Sequence, residues 1–342
     1  MMNDEARILM ESVEQFCRDE IVNSSADIER RGISPELSKK IAAQGFYSLT
    51  LGEKEGGAAI RRPLYFRILG EFASHSPSVA LQISLVNSLI LGSLESVPPS
   101  VLKIEDIISG DAIPAVPLGY NAMSPGTIRL SEDGKTLDAD VGTSAFFGSN
   151  SMLLRSSDGT LIMIRDVHGD DLPEPPLGFR GIKQFSAKIA GAPYENLGRI
   201  HNDVIIDGEI AAIAAGIARG SISKAIEYSR VRKTFDHPLK DYGPVAFRLS
   251  ELSVSLRMLE NYIYSDTTSD EDLIGARVFA LKLANQASRE AVQTHGGYGY
   301  IEDFGVEKYY RDAMALASLL SNHLDDLSRL SKFVYHENAG FI

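Results

Sequence analysis

Apolar positions recur at helical spacing near both ends of the chain and alternate with polar ones in the middle. Ala6-Arg-Ile-Leu-Met-Glu-Ser-Val-Glu-Gln-Phe gathers its apolar residues on one helical face. Ser34-Pro35-Glu-Leu is a helix start, with serine as N-cap and proline at the first helical position, and the helix runs to about Gly45. Gly56-Gly57 marks a loop, and Pro63 to His75 is another amphipathic stretch. Ser76 to Ile90 is apolar on most faces, which predicts a buried helix. From about Gly110 the texture changes. Thr127-Ile-Arg-Leu, Met152-Leu-Leu-Arg and Leu161-Ile-Met-Ile-Arg are short runs split by Glu132-Asp-Gly, Ser157-Asp-Gly and Gly169-Asp-Asp, the pattern of strands between turns. Pro173-Glu-Pro-Pro-Leu-Gly reads as a loop, and one or two more strands extend to Gly198. Past about Asp203 the helical period returns: Ile210 to Val231, Pro244 to Tyr264 and Asp272 to His295. The small residues of Ala211-Ala-Ile-Ala-Ala-Gly-Ile-Ala permit close helix packing, and acidic Ser265 to Asp272 forms a solvated linker and helix cap. Helices, then strands, then helices predict an α+β protein of separate domains: an N-terminal helical domain (1–108), a small central β-domain (109–202) and a C-terminal four-helix-bundle domain (203–342). No internal repeat of fixed period interrupts this order.

Composition narrows the function classes. The chain has 342 residues and a formal net charge of -12, so a general grip on nucleic acid is not expected, because phosphates require a basic field. A local basic pocket for one anionic cofactor remains compatible with that charge. The single cysteine, Cys17, excludes an intrachain disulfide and sits at helical spacing as a core thiol. The start Met1-Met-Asn-Asp-Glu is acidic where a signal peptide is basic, and no run of about 18 apolar residues is evident. The expectation is a cytoplasmic protein with no membrane span. There is no H-E-x-x-H, no cysteine pair, no phosphate-binding G-x-x-x-x-G-K-[ST] and no G-x-S-x-G, so no metal site is expected. Gly296-Gly-Tyr-Gly299 lacks the third glycine of a Rossmann turn and follows no strand. The seven histidines are scattered, and each alone reads as structural or exposed.

Two later segments are more specific: Tyr228-Ser-Arg-Val-Arg232-Lys-Thr234-Phe235-Asp-His-Pro-Leu, and Gln293-Thr-His-Gly296-Gly297-Tyr-Gly-Tyr running on to Arg311-Asp312-Ala313. Together they resemble the acyl-CoA dehydrogenase family, whose signatures run Y-x-x-x-R-x-x-F-G-x-P-L, Q-x-x-G-G-x-G-[FY] and R-D-A. Ala43 to Ala58 is similar to the family's first-domain P-E-x-x-G-G-A loop, with Gly52 in place of the proline. Ser78-Val-Ala-Leu, Leu177-Gly-Phe-Arg-Gly and Asn196-Leu-Gly also fit, so the likeness spans nearly the whole chain. The resemblance implies an FAD cofactor. Arg232 and Thr234 match the positions that contact its pyrophosphate, Phe235 lies beside it, and Gln293, Gly296 and Gly297 hold it from a neighbouring subunit. Arginine supplies both charge and fixed donors to such an anion, and glycine lets backbone approach closely. The resemblance further implies fatty-acid metabolism, an acyl-CoA thioester substrate, electron-transfer flavoprotein as partner, and an oligomer, homotetramer or heterotetramer.

The chain also departs from the family. Abstraction of the α-proton needs a base, usually a glutamate nine residues after the arginine of R-D-A; here that residue is Leu320, which cannot take a proton. Some relatives place the glutamate ten residues before the glycine of the preceding long helix, a position occupied here by Ile206, and the arginine beside it is Asp207. Glu209, three residues on, is the best remaining candidate, although a glutamate at a helix start is ordinarily solvated; His323, one turn after Leu320, is another. Val116 to Pro125 replaces the T-E-x-x-A-G-S-D stretch, Phe146-Phe147-Gly148 replaces W-I-T, and the motif's F-G is Phe235-Asp236. Three readings follow: an FAD-dependent acyl-CoA dehydrogenase with a displaced base, a non-catalytic subunit that shares an FAD with a complete dehydrogenase chain, and a related flavoprotein whose reaction needs no α-proton base.

Overall fold

The structure, a computed structural model, describes residues 4–94, 103–119, 127–199 and 206–336. The first part is helical, as the periodicity predicts. Helix α1 (Asp4–Phe16) passes through a wider π-helical turn, Cys17–Val22, into α2 (Asn23–Arg31). Helix α3 (Pro35–Ala43) opens on Ser34, whose hydroxyl accepts the Leu37 N–H at 3.1 Å. After the loop around Gly56 come α4 (Arg62–His75) and α5 (Pro77–Ser84), which Ser76 caps. A second π-helical stretch, Leu85–Leu91, leads into α6 (Gly92–Leu94), and α7 (Ile104–Ile108) follows. Cys17 is buried and its thiol is pushed up by burial, so it packs as a core residue. One expectation is corrected here. Pro77–Leu94 forms 18 continuous helical residues of mean hydropathy 1.4, long and apolar enough to cross a membrane, but 89% of the segment is buried inside the protein.

The middle of the chain is an antiparallel sheet. Strands β1 (Val116–Pro117), β2 (Thr127–Leu130), β3 (Thr136–Phe146), β4 (Met152–Arg155), β5 (Thr160–Ile164), β6 (Asp170–Asp171) and β7 (Lys183–Arg199) assemble in the order β1-β3-β7-β5-β4, with β2 on β3 and β6 on β7. The runs expected as strands form β2, β4 and β5, and the last one or two become the single 17-residue β7. Its first half pairs with β3 and its last residues pair with β5, so one strand turns the corner between two halves of the sheet. Most of the segment Val116 to Pro125 lies outside the described residues.

The last part begins with α8 (Asp207–Val231), followed by a hairpin of β8 (Lys233–Thr234) and β9 (His237–Pro238). Then come α9 (Gly243–Ile263), α10 (Asp270–His295), α11 (Glu307–Leu319) and α12 (His323–His336). Ser269 and Asp272 close a capping box on α10, which fulfils the capping role expected of the acidic linker. The small-residue run in α8 does what its composition predicts. A side chain on Gly216 would meet the Gly70 carbonyl at 2.4 Å, and one on Gly220 would meet the Ser74 carbonyl at the same distance, so α8 lies almost backbone to backbone on α4.

Four segments far apart in sequence meet at one knot. The Phe179 N–H donates to the Asp312 carboxylate at 2.6 Å, the Gly181 N–H donates to Ser78 Oγ at 3.2 Å, and Arg311 donates to the Leu177 carbonyl and to Glu29. A Cβ on Gly178 would strike the Arg311 carbonyl at 2.5 Å, so glycine is what permits this approach. Lys308, itself buried, donates to the His75 carbonyl at 2.5 Å from the same helix. Burial raises the Asp312 carboxyl to about 7, with Glu29 adding to the effect while the Phe179 N–H, Lys308 and Arg311 oppose it. A carboxyl raised in the folded state stabilises most below its unfolded value and loses that contribution as pH rises to about 7. The urea midpoint of Asp312→Asn, which keeps an acceptor for Phe179, therefore improves relative to the unsubstituted protein between about pH 4 and pH 7. Asp312→Ala leaves that N–H buried without a partner and costs about 1–3 kcal/mol.

Candidate functional site

The two ends of α8 carry the two candidate sites. At its C-terminal end the chain leaves the helix at Arg232 (φ -73°, ψ 125°), whose N–H still bonds the Tyr228 carbonyl at 2.9 Å. The hairpin that follows turns on Phe235 and Asp236, with φ of 47° and 65°, between the paired residues Thr234 and His237. A two-residue hairpin needs this left-handed backbone, and aspartate tolerates it better than most residues, which explains how Asp236 serves where the resembled pattern has glycine. The hairpin faces the end of α10. There His295 stacks on Tyr228 with ring centroids 4.2 Å apart, and its Nδ1 bonds the Ala291 carbonyl at 2.8 Å. Burial lowers the His295 pKa, so the ring packs as a neutral group, consistent with the structural role expected of the histidines.

Between hairpin and helix end lies a cleft of about 550 Å³, lined by Arg232, Thr234, Gly296, Gly297 and Tyr298 among others. The guanidinium of Arg232 stands 5.9 Å from the Tyr298 ring and forms no ion pair among the described residues. Arg232 is itself exposed. Gly296 has a φ of 60°, a glycine requirement of the turn itself. Gly297 has neither a positive φ nor, among the described residues, any atom within 4 Å of a Cβ placed on it, so nothing described in this chain asks for glycine there. Gly299 is the contrast, since its Cβ would meet the Val292 carbonyl at 2.4 Å. The structure thus brings Arg232, Thr234, Gly296 and Gly297 together. Gln293 and Phe235 do not line this cleft; both are exposed beside it, and Phe235 is 87% exposed.

At the other end of α8, Glu209 overturns the expectation of a solvated helix-start residue. It is only 9% exposed, and its carboxyl lines a second cleft of about 660 Å³ between α4, the π-helical stretch and the α9–α10 connection. Ser88 Oγ donates to Glu209 Oε1 at 2.8 Å, and the Tyr65 hydroxyl lies 3.1 Å from Ser88 Oγ. Burial raises the carboxyl to about 7, opposed by Ser88, its backbone and Arg62 and aided by Asp207. Among the described residues Glu209 forms no ion pair. The other candidate, and the residue at the family's usual base position, are placed elsewhere. His323 is exposed at the first residue of α12, and Leu320 is 4% exposed in the core at the end of α11. Ile206, half-buried, immediately precedes α8.

Asp207, where the resemblance would have arginine, is fully buried and compensated from two helices. Arg277 of α10 bonds Asp207 and also Asp326 of α12, and Arg329 of α12 bonds Asp207 at 2.8 Å. Four charges close α12 over the start of α8, and the pattern of local motifs gives no sign of it because they come from three helices far apart in sequence. Sequence reasoning also passed over Ser88 and Tyr65. The available signal was a serine followed by Leu-Ile-Leu in an otherwise apolar run, which alone does not distinguish a cleft residue from a core one.

Residues 3–97 match the family model for the acyl-CoA dehydrogenase N-terminal domain, and residues 208–319 match that for the acyl-CoA dehydrogenase C-terminal domain. A 3-(aryl)acrylate reductase of Clostridium sporogenes is 22% identical over 92% of this chain and 94% of that protein. The CarC subunit of the caffeyl-CoA reductase–Etf complex of Acetobacterium woodii is 24% identical over 91% of this chain and 93% of its own length. A glutaryl-CoA dehydrogenase from Mycobacterium smegmatis, solved in complex with FADH2, superposes with a TM-score of 0.83 at 18% identity, covering 99% of this chain and 96% of that one.

The roles of the glycines can be separated by stability alone. Gly297→Ala and Arg232→Ala should leave the Tm of the protein without added cofactor unchanged, within about 0.5 kcal/mol. Gly299→Ala should destabilise it by about 1–3 kcal/mol, because its Cβ has to displace backbone.

Proposed function

The chain belongs to the acyl-CoA dehydrogenase family, and we propose that it is an FAD-dependent flavoprotein that dehydrogenates the α,β bond of an acyl-CoA thioester and passes electrons to electron-transfer flavoprotein. The observation that carries this reading is the pair of clefts at the two ends of α8. The Arg232 cleft suits the cofactor: an exposed guanidinium with uncommitted donors stands beside a glycine that only an external group would require. Arg232, Thr234, Gly296 and Gly297 would hold the anionic middle of FAD, with Gln293 and Phe235 on the adjoining surface. FAD, when bound, supplies the acceptor for the hydride that leaves the β-carbon.

The Glu209 cleft suits proton abstraction. A carboxyl held at about 7 is part ionised at neutral pH yet remains basic enough to take a proton, which is the balance a general base needs. Glu209 is the acid–base group this chain offers in place of Leu320. Along the helix, Glu209 and Arg232 are about 34 Å apart at 1.5 Å per residue. That separation exceeds the distance from the ring of one FAD to its pyrophosphate, so the two clefts of one chain serve different cofactors. Each complete site then takes its grip from one chain and its base from another, which supports an oligomer. The names of the CarC complex and of the FADH2-bound relative agree with electron-transfer flavoprotein and FAD as associates of this fold.

The buried Leu320 favours a second reading, in which the chain is a subunit that lends Arg232 and Gln293 to an FAD shared with a complete dehydrogenase, whose own glutamate acts as base.

The purified protein should be yellow and should bleach when mixed anaerobically with its acyl-CoA substrate. Bleaching should accelerate as pH rises through about 7, because the base has to be ionised. Glu209→Gln should slow it at least about a hundredfold and abolish that pH limb. A yellow protein that bleaches only when a second dehydrogenase chain is added supports the shared-subunit reading, and a colourless one contradicts self-sufficient catalysis.

A further inference from the structure

We propose that Ser88 is a positioning residue for Glu209, and that Tyr65 behind it completes a hydroxyl chain which holds the carboxyl in one orientation toward the cleft through both of its protonation states. The proposal rests on Glu209 being the base and deepens that reading.

The geometry fixes the direction of the chain. An ionised carboxylate only accepts hydrogen bonds, so at 2.8 Å Ser88 must donate to Glu209 Oε1. Serine has one hydroxyl proton. With it committed, the 3.1 Å contact between Ser88 Oγ and the Tyr65 hydroxyl has Tyr65 as donor. Tyr65 is 1% exposed, and its hydroxyl also adjoins Ser84, a second partner for the phenol when the chain reverses. Once Glu209 has taken a proton it donates to Ser88, Ser88 turns to donate to Tyr65, and Tyr65 donates to Ser84. Rotation of two hydroxyls thus carries the chain from one protonation state of the carboxyl to the other, and the carboxyl keeps its rotamer.

Each member comes from a different helical segment: Tyr65 from α4, Ser88 from the π-helical stretch Leu85–Leu91, and Glu209 from α8. The wider turn is anchored at the preceding residue. Asn87 donates to the carbonyls of Phe46 and Ile83 and accepts the Thr50 N–H, which fixes the backbone from which Ser88 projects. Besides Ser88 the carboxyl meets its own backbone N–H, and among the described residues the charged groups around it are engaged elsewhere. Arg62 of α4 pairs with Asp270, Asp207 of α8 pairs with Arg277 and Arg329, and Asp266 of the α9–α10 connection pairs with Arg61. From α10 the cleft receives only the apolar Leu273.

Infrared titration of the FAD-loaded protein tests this without turnover, with the protonated-carboxyl band of Glu209 identified by its absence in Glu209→Gln. In Ser88→Ala the midpoint of that band should rise by roughly one pH unit, because the donor that favours the ionised form is gone. The acid limb of flavin bleaching should move upward with it, and kcat at neutral pH should fall about tenfold with KM changed less than about threefold. Ser88→Thr, which keeps the hydroxyl, should restore both. A midpoint unchanged in Ser88→Ala overturns the positioning role and leaves Glu209 as base. Full bleaching rate in Glu209→Gln overturns the base assignment on which the proposal stands.

Discussion

The hydrogen bond from the Phe179 backbone to the buried carboxylate of Asp312 is the point on which the arrangement of the three parts depends. It joins the loop before β7 to α11, and the same few residues draw in Glu29 of α2 through Arg311 and Ser78 of α5 through Gly181. Phe179 adopts a φ of 53°, a costly backbone for an aromatic residue, and it is held there by partners on both sides. Lys308, Arg311 and Asp312 lie within about one turn of α11, and between them they bond His75, Glu29 and the loop at Leu177–Phe179. Such a cluster has little tolerance for displacement, because moving any one part leaves a buried charge uncompensated. The Arg311-Asp312-Ala313 motif is thus a fastener between domains rather than a part of either cleft.

With the parts so fastened, α8 acts as a rod. Gly216 and Gly220 bring it onto α4 at backbone contact, and the four charges around Asp207 and Arg277 seal its first turn beneath α12. One end meets the α4 and Ser88 side of the protein and presents a carboxyl; the other reaches the hairpin and presents a guanidinium. The rod's length keeps these two groups from meeting within one chain. In the proposed reading a site that needs both combines two chains, and Arg232, Phe235 and Gln293 are exposed at the end that would meet the second one.

Much of this was legible in the sequence where function is written in local spacing. The helix–strand–helix order, the capping of α3 and α10 and the small-residue face of α8 all follow from residues close in sequence, whereas the meeting of Arg232 and Thr234 with Gly296 and Gly297 in one chain does not, since the resemblance assigned the two glycines to a neighbouring subunit. What remained illegible depends on contacts between distant segments. Glu209 looks like an ordinary solvated helix start, and only the walls supplied by α4 and Ser88, over a hundred positions away, turn it into a buried acid. Asp207 looks like a lost arginine until Arg277 and Arg329 arrive from other helices. The alternation of β3 through Thr136-Leu-Asp-Ala-Asp-Val is a proper strand pattern, but its two register shifts against β7 are a tertiary matter. Leu320 is the converse case: counting residues put it where the resemblance has a glutamate, and the structure shows the leucine filling core.

The claim that one active site draws Arg232 from one chain and Glu209 from another is tested most directly by mixing two inactive variants. Arg232→Ala and Glu209→Gln would be unfolded and refolded together in equal amounts with FAD, and flavin bleaching by acyl-CoA measured. Mixed pairs hold one site with both residues intact, so the account predicts recovery of about a quarter of the activity of the unsubstituted protein. Recovery no greater than the sum of the two variants refolded separately would contradict it.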